Sequence, residues 1–566
     1  VNKTGSITDG HHDRGRGGEV RHADVCIIGS GPAGLSLAHE LIGSGYEVLV
    51  LESGGDNFDV DADALNAGEP SDSRFAALGL YRRRIVGGAS VIWGGRCVPY
   101  DPIDLEARPE RGGFGWPFGI ETLEAYYDRA AAYCEIGAPE FDARHALPPA
   151  GPFIEGLKSE VLRTTSFERF SPPTNFGRLW GRAIRRSTNV KIETDATCTS
   201  LVFGVDGKTV ERARVARRQG ADFEVVAGTF VVACGGIETY RLLAVSTGVK
   251  PSDPEPPGAL GRYFMSHIEG SIAQLRLLDP KTRIEWGFPR SRDGVDGRRR
   301  ITIAPEVQRR AGLLNFVMRL HHPAPVDPRH GNAILSAMLL AKSFILPEYR
   351  RKITMLERSS AAAMPQGLAF WAAHLRNIVL GAPSLLAFLC DWTVRRYLVY
   401  RRIPYVALKS AKGVYPIDFH AEQTPNPACR LRLIESVDRF GTPLAAVDWR
   451  MNDADIASIA ANFRTARDAF ATTGVAVLDF DDEALEDRIR QDAVPVGGHH
   501  LGMARMSDDP EHGVVDANLR MHGVDNAYVV GGAVLPTSGH ANPTFTIVAL
   551  AVRLADHLKS VLRPGD

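Results

Sequence analysis

The apolar positions change period twice within the first sixty residues. Val25 to Ile28 is a continuous apolar run, Leu35, Ala38, Leu41 and Ile42 return at helical spacing, and Tyr46 to Leu51 is a second run ending at Glu52. A continuous run suits a strand covered on both faces, and a 3.6-residue recurrence suits a helix packed against it. The pattern predicts a βαβ unit. Farther along, 189–204 and 209–234 read as strands with turns at Asp206-Gly207 and Gly220. The segment 230–236 (FVVACGG) reads as another buried strand, ending in glycines before a helix through Leu242 and Leu243. An amphipathic helix is expected over 116–133, entered through a proline turn, and another from Phe545 to Leu558, capped by Asn542 with Pro543 in its first turn.

The middle of the chain, 271–490, is mixed, and Arg298, Arg299 and Arg300 read as a solvated face. Its most unusual stretch lies within 362–402, where 14 uncharged, mostly apolar residues between Arg376 and Asp391 are broken by Pro383. That is too short and interrupted to span a bilayer, which takes about 20 residues. A buried helical pair is expected there. A flap, an oligomer contact or a membrane-surface anchor through 369–402 are the competing readings.

Composition narrows the classes. The 566 residues suffice for two packed bodies or one large enzyme, and 44% hydrophobic with 23% charged residues is ordinary for a globular chain. Lys+Arg number 66 against 67 Asp+Glu, so there is no basic excess of the kind nucleic-acid binding needs. Seven cysteines lie far apart without a CxxC pair, which argues against structural zinc, a redox dithiol and covalent haem; no metal is expected. A reduced, cytoplasmic protein is the expectation. Residues 1–20 are polar and Gly-rich without the apolar core of a secretory signal, and read as a disordered leader; His11 and His12 belong to it.

The chemistry begins at Gly29-Ser30-Gly31-Pro32-Ala33-Gly34, between the first predicted strand and helix. The glycines allow a tight turn, close approach of backbone to a pyrophosphate, and close helix–strand packing. The helix N-terminus offers unpaired N–H groups to phosphate. Glu52, 18 residues after Gly34, is placed to accept ribose hydroxyls. The full strand–helix–strand–acid context makes this a dinucleotide site. A second glycine-rich stretch, Arg84 to Cys97, contains Gly88, Ser90, Trp93, Gly94 and Gly95. It reads either as a buried loop or as a segment lying along a flat cofactor ring.

Residues 497–558 (GGHHLGMARMSDDPEHG…SGHANPTFTIVALAVRLADHL) resemble the closing segment of the glucose-methanol-choline (GMC) oxidoreductases. The resemblance extends to the first βαβ unit, to IVGGASVIWGG, WPFGIETLEAYYDRA, FVVACGGIETYRLL and PNPACRLRL, about half the chain in family order. It is nearest the branch of pyranose oxidases and glycoside 3-oxidases. The fold it implies is α/β: a Rossmann-like FAD-binding domain from 21–60, 190–270 and 495–566, and a discontinuous second domain, 61–189 and 271–494, on a mixed or antiparallel sheet with helices. A helical apolar insertion is expected at about 335–410.

The resemblance implies FAD and an alcohol oxidised to a carbonyl by a pair of residues, His499 as base and Asn542, 43 positions later, as orienting donor. It further implies flavin contacts from Ser53, Cys198, Ala233 and Gly235, from Gly532 and Ala533, and from Asn542, Pro543 and Thr544, besides the two glycine-rich stretches. Gln423, with Glu422, and His500 and His540 are candidates for contact with substrate. Two departures stand out. Met503 replaces the usual threonine of HxxGT, and Ile92 stands where covalently linked relatives carry histidine, so the FAD is expected to be non-covalent. The substrate expected from the branch is a sugar or glycoside oxidised at a secondary hydroxyl, with a non-sugar alcohol, or a lyase with structural FAD, as alternatives. Oxygen, a quinone or a protein as electron acceptor, and a homo-oligomer, stay open.

Overall fold

The computed structural model describes residues 19–148, 151–253, 258–344 and 367–562. Nearly all of the expected leader, including His11 and His12, lies outside the described residues, as does 345–366 of the apolar insertion. The expected βαβ unit is present as strand Glu19–Ile28, helix Pro32–Glu40 and strand Val48–Leu51. Its strands are parallel and in register from Val25/Val48 to Ile28/Leu51. Their buried, uncharged faces fit a strand covered on both sides.

Five parallel strands from distant parts of the chain share this sheet. Val190–Glu193 pairs outside Val48–Leu51, and Phe223–Val232 pairs along Glu19–Ile28. The strand Phe223–Val232 then divides its other edge. Its first residues pair antiparallel with Val210–Ala216, and Phe230 to Val232 pair parallel with Ala527–Val529. The hairpin Thr197–Phe203 with Val210–Ala216 extends the sheet, with its turn through Asp206 and Gly207. The closing helix Thr544–Val561 packs against Pro32–Glu40.

A second, antiparallel sheet has the order Ala476–Asp479, Ile268–Leu277, Val414–Ala421, Phe316–Leu320, Ile301–Ile303, Leu162–Arg163. The fold is therefore α/β, with one mixed and one antiparallel principal sheet. One crossing positions the site. Pro495 pairs with Ile268 and Leu501 bridges Met265, so the chain between them turns out beside the start of strand Ile268–Leu277.

Four expectations are corrected. The helix expected over 116–133 is two short ones, Glu121–Glu124 and Tyr127–Cys134, because the Tyr126 amide bonds three residues back, to Leu123, rather than four. The last helix starts at Thr544 with Pro543 as its cap; the Asn542 side chain turns elsewhere. Arg299 and Arg300 are buried rather than solvated, Arg299 donating to the Thr164 carbonyl and Arg300 to Ser166 Oγ. Finally, the apolar pair Leu368–Leu380 and Ala382–Thr393 is mostly exposed, with only Phe370 and His374 buried.

Candidate functional site

Gly29 ends the first strand at φ +108, in the region that favours glycine. A Cβ on Gly34 would fall inside the contact radius of the Gly29 carbonyl, so glycine there lets the helix sit close to the strand. Gly31 has nothing within 4 Å of where its Cβ would be: it faces open space. It precedes a helix with no side-chain cap, leaving first-turn N–H groups directed at that space. The space is a cleft of about 260 Å³ that opens to solvent. Ser30, Ala33, Glu52, Ser53 and Gly88 line its near side; Cys198, Ala233 and Gly235 line another. Gly532, Pro543 and Thr544 close it with His499 and His500.

Several expected contacts are not in the wall. Ser90 Oγ donates to the Gly87 carbonyl and accepts from the Phe176 amide; Trp93 Nε1 donates to the Thr174 carbonyl. Both residues hold the glycine-rich loop against its neighbours. Gly34, Gly95 and Ala533 also pack outside the cleft lining, and Gly94, outside it too, is exposed with nothing within 4 Å of where its Cβ would be. Arg82 and Arg84, which motif reading did not single out, do line it, and both pair with Glu238 at 2.8 and 2.7 Å. Arg84 also donates to Ser53 Oγ. Glu52 accepts from Ser30 N, Ser30 Oγ and Gly54 N, and burial pushes its carboxyl above the usual range.

His499 closes the turn between Pro495 and Leu501, its amide donating to the Val496 carbonyl. Its Nε2 lies 3.2 Å from Asn542 Nδ2, and its Nδ1 lies 2.7 Å from Nδ1 of His267. His267 is the residue the motifs missed. It precedes strand Ile268–Leu277, and its Nε2 is 2.9 Å from the Ser538 carbonyl.

These contacts fix the protons. A carbonyl only accepts, so His267 Nε2 carries hydrogen. Burial holds the His267 pKa down to about 3, so the ring is neutral and its Nδ1 is a bare acceptor. His499 Nδ1 must then donate, leaving Nε2 with its lone pair toward Asn542. Burial also lowers His499 well below the ordinary histidine value, with the neighbouring His267 and His420 adding to the shift, so Nε2 is an unprotonated base at neutral pH. With Asn542 donating through Nδ2, its Oδ1 is buried and without a hydrogen-bond partner among the described residues.

The expected substrate contacts divide. Gln423 is consumed by structure: its Oε1 accepts from Ser266 N and Trp449 Nε1, and its Nε2 donates to the Arg450 carbonyl. Glu422 is a buried partner of Arg111 at 2.5 Å. His540 is fully buried between Asp101, 3.0 Å from Nε2, and Arg300. His500 does border the cleft, while its ring lies between Phe75 and Phe264, each 6.2 Å away by centroid. Beside His267, one ligand-type atom each of Glu269, Asp418 and His420 fall within 4.8 Å of one another, a buried set chemically able to hold a cation.

Residues 22–60 match an FAD-binding domain and residues 425–551 match the GMC oxidoreductase family. The large subunit of fructose dehydrogenase from Gluconobacter japonicus is 39% identical, over 97% of this chain and 99% of its own. The chain belongs to the GMC oxidoreductase family. Another relative of this GMC oxidoreductase is 2-methyl-1,2-propanediol dehydrogenase from Mycolicibacterium austroafricanum, 24% identical over 94% of this chain and 95% of that one. Among solved structures, pyridoxine 4-oxidase (Mesorbium loti) covers 95% of the chain with all of its own at 16% identity and a TM-score of 0.52, a likeness of fold. The protein is thus an FAD-dependent oxidoreductase acting on alcohol CH–OH donors. The cleft fits that cofactor: open space at Gly31, an uncapped helix start, an acid at the end of Val48–Leu51, and a second helix start at Pro543.

Proposed function

We propose that this GMC oxidoreductase oxidises a secondary hydroxyl of a sugar or glycoside to a ketone, with His499 as base and Asn542 as orienting donor. The observation that carries the catalytic reading is the contact between Asn542 Nδ2 and a lone pair on His499 Nε2, at the edge of the cleft. A substrate hydroxyl inserted between the two would donate its proton to Nε2 and accept from the amide. Bound FAD supplies the acceptor for the hydride that leaves the carbinol carbon. On taking the proton, His499 still donates through Nδ1 to His267, and His267 still donates to the Ser538 carbonyl, so the new charge meets an oriented acceptor without further proton movement. The start of helix Thr544–Val561 turns the positive end of its dipole to the same cleft, which favours negative charge there.

Gly29, Gly31, Glu52 and the other cleft residues would hold FAD without a covalent bond, since Ile92 offers no nucleophile. Acid precipitation should leave the flavin in the supernatant; flavin in the pellet would refute this. The division into an FAD part (21–60, 190–270, 495–566) and a substrate part is supported by the first sheet, which draws strands from all three segments.

The sugar reading rests on the motif resemblance and on a relative named for fructose. The diol dehydrogenase relative favours a second reading, a small non-sugar alcohol. Anaerobic flavin bleaching across a panel of sugars, glycosides, diols and primary alcohols separates them: faster bleaching by simple alcohols than by every sugar overturns the first. Repeating the turnover with oxygen and then with a quinone or dye identifies the class of electron acceptor.

A further inference from the structure

We infer that the helical hairpin Leu368–Leu380 and Ala382–Thr393 docks in the interface plane of a bilayer carrying anionic headgroups. Its inward side is already packed. Phe370 and His374 are buried, His374 Nδ1 meets Ser336 Oγ at 2.9 Å, and Asn377 donates to the Pro328 carbonyl. Leu385, Phe388 and Trp392 pack on a small core of Ile334, Leu335, Met338 and Val406. A soluble helix with one face so engaged normally turns polar residues outward. Here the outward stripes are apolar too. On the first helix they are Leu368, Trp371, Leu375 and Val379, at spacings of three and four, with Leu368 92% exposed. On the second they are Leu386, Leu389 and, just beyond, Tyr397, with Leu398 73% exposed. Contiguous exposure on this scale marks an interaction surface rather than scattered surface leucines.

Geometry and charge select the partner. The helices hold 13 and 12 residues, roughly 20 Å each at 1.5 Å per residue, and the pair is bent by 73°. No single described helix is long and apolar enough to cross a membrane. An in-plane arrangement suits this shape, with tryptophan and tyrosine at the boundary between tails and headgroups. The whole chain is balanced, 66 Lys+Arg against 67 Asp+Glu, yet residues 367–402 contain five Lys+Arg and one Asp+Glu. That local excess complements anionic lipid.

The test is flotation of the purified holoenzyme with vesicles of phosphatidylcholine alone and of phosphatidylcholine with 30 mol% phosphatidylglycerol (roughly the anionic fraction that makes surface charge count). The holoenzyme should float with the anionic vesicles, and less at high salt. Leu375→Glu with Leu386→Glu, both on the solvent side, should cut the floating fraction by about tenfold while flavin content and turnover with a soluble dye are kept. In an independent arm on the unmutated protein, brominated lipid should quench tryptophan fluorescence, and less in Trp371→Phe. Absence of flotation at both compositions, or equal flotation of the double variant, would overturn the proposal. So would a dimer, or a stoichiometric protein complex, that the double variant dissociates without any vesicle binding.

Discussion

The tautomer of His499 is decided by a backbone carbonyl two contacts away. Ser538 forces hydrogen onto His267 Nε2, His267 forces it onto His499 Nδ1, and the lone pair is left at Nε2. General-base assistance is typically worth about 10²–10⁴-fold, so His499→Ala should slow anaerobic flavin reduction by that order with FAD still bound. Asn542→Ala should slow it less, since water can take over part of the amide's donation. His267→Phe removes the orienting acceptor while leaving Nε2 in place. Partners that orient a histidine through its second nitrogen are worth about 10–100-fold at metal sites, and a loss of that order is expected here. Stopped-flow reduction against pH discriminates a positioning role from a structural one. Because burial keeps His499 unprotonated well below the ordinary histidine range, the native rate should stay flat through mildly acid pH. In His267→Phe the rate, rather than flavin content, should change. That His499 and Asn542 would meet was readable in the sequence because motif register carries both. His267 was not, since it stands 232 positions from its partner and nothing in its own segment marks it.

At the level of elements, what sequence reads well is what neighbours decide. The turn from Gly29 to Gly34 and the acid at Glu52 belong to one contiguous unit, and strand, helix and strand formed as the apolar periods require. The two glycines inside it are predicted to fail differently. Gly31→Ala puts its methyl into empty cleft, so the apoprotein should melt as before while FAD affinity falls. Gly34→Ala drives a methyl into the Gly29 carbonyl, so the apoprotein itself should melt lower. Apoprotein melting curves beside flavin titrations check both. Elements whose roles depend on distant packing read poorly. Ser90 and Trp93 sit in the right loop but spend their polar atoms on Gly87, Phe176 and Thr174. The hairpin after Leu368 has the composition of a buried pair and lies outside, since composition counts apolar residues without saying which partner covers them.

Across the whole molecule, buried neutral histidines tie stability to pH. Burial lowers His267 and His500 to about 3 and His322 and His330 to about 4, whereas in an unfolded chain each returns to about 6.5. Between roughly pH 6.5 and 4 the unfolded state binds more protons, so stability rises with pH across that window and is lost as pH falls through it. Urea midpoints should therefore drop steadily from pH 7 to 4, and His330→Gln should flatten part of the slope. The divided edge of strand Phe223–Val232 has a different consequence, in the order of synthesis. Phe230 to Val232 wait for Ala527–Val529, and a nascent chain that has not reached residue 495 contains neither His499 nor Asn542. Until residues 527–529 have been made, the sheet keeps an open hydrogen-bonding edge, the kind that invites mispairing. A chain released before residue 495 would keep Gly29 to Gly34 and Glu52 yet lack His499 and Asn542, the pair proposed to handle the proton, so it could sequester FAD without being able to turn over a single alcohol.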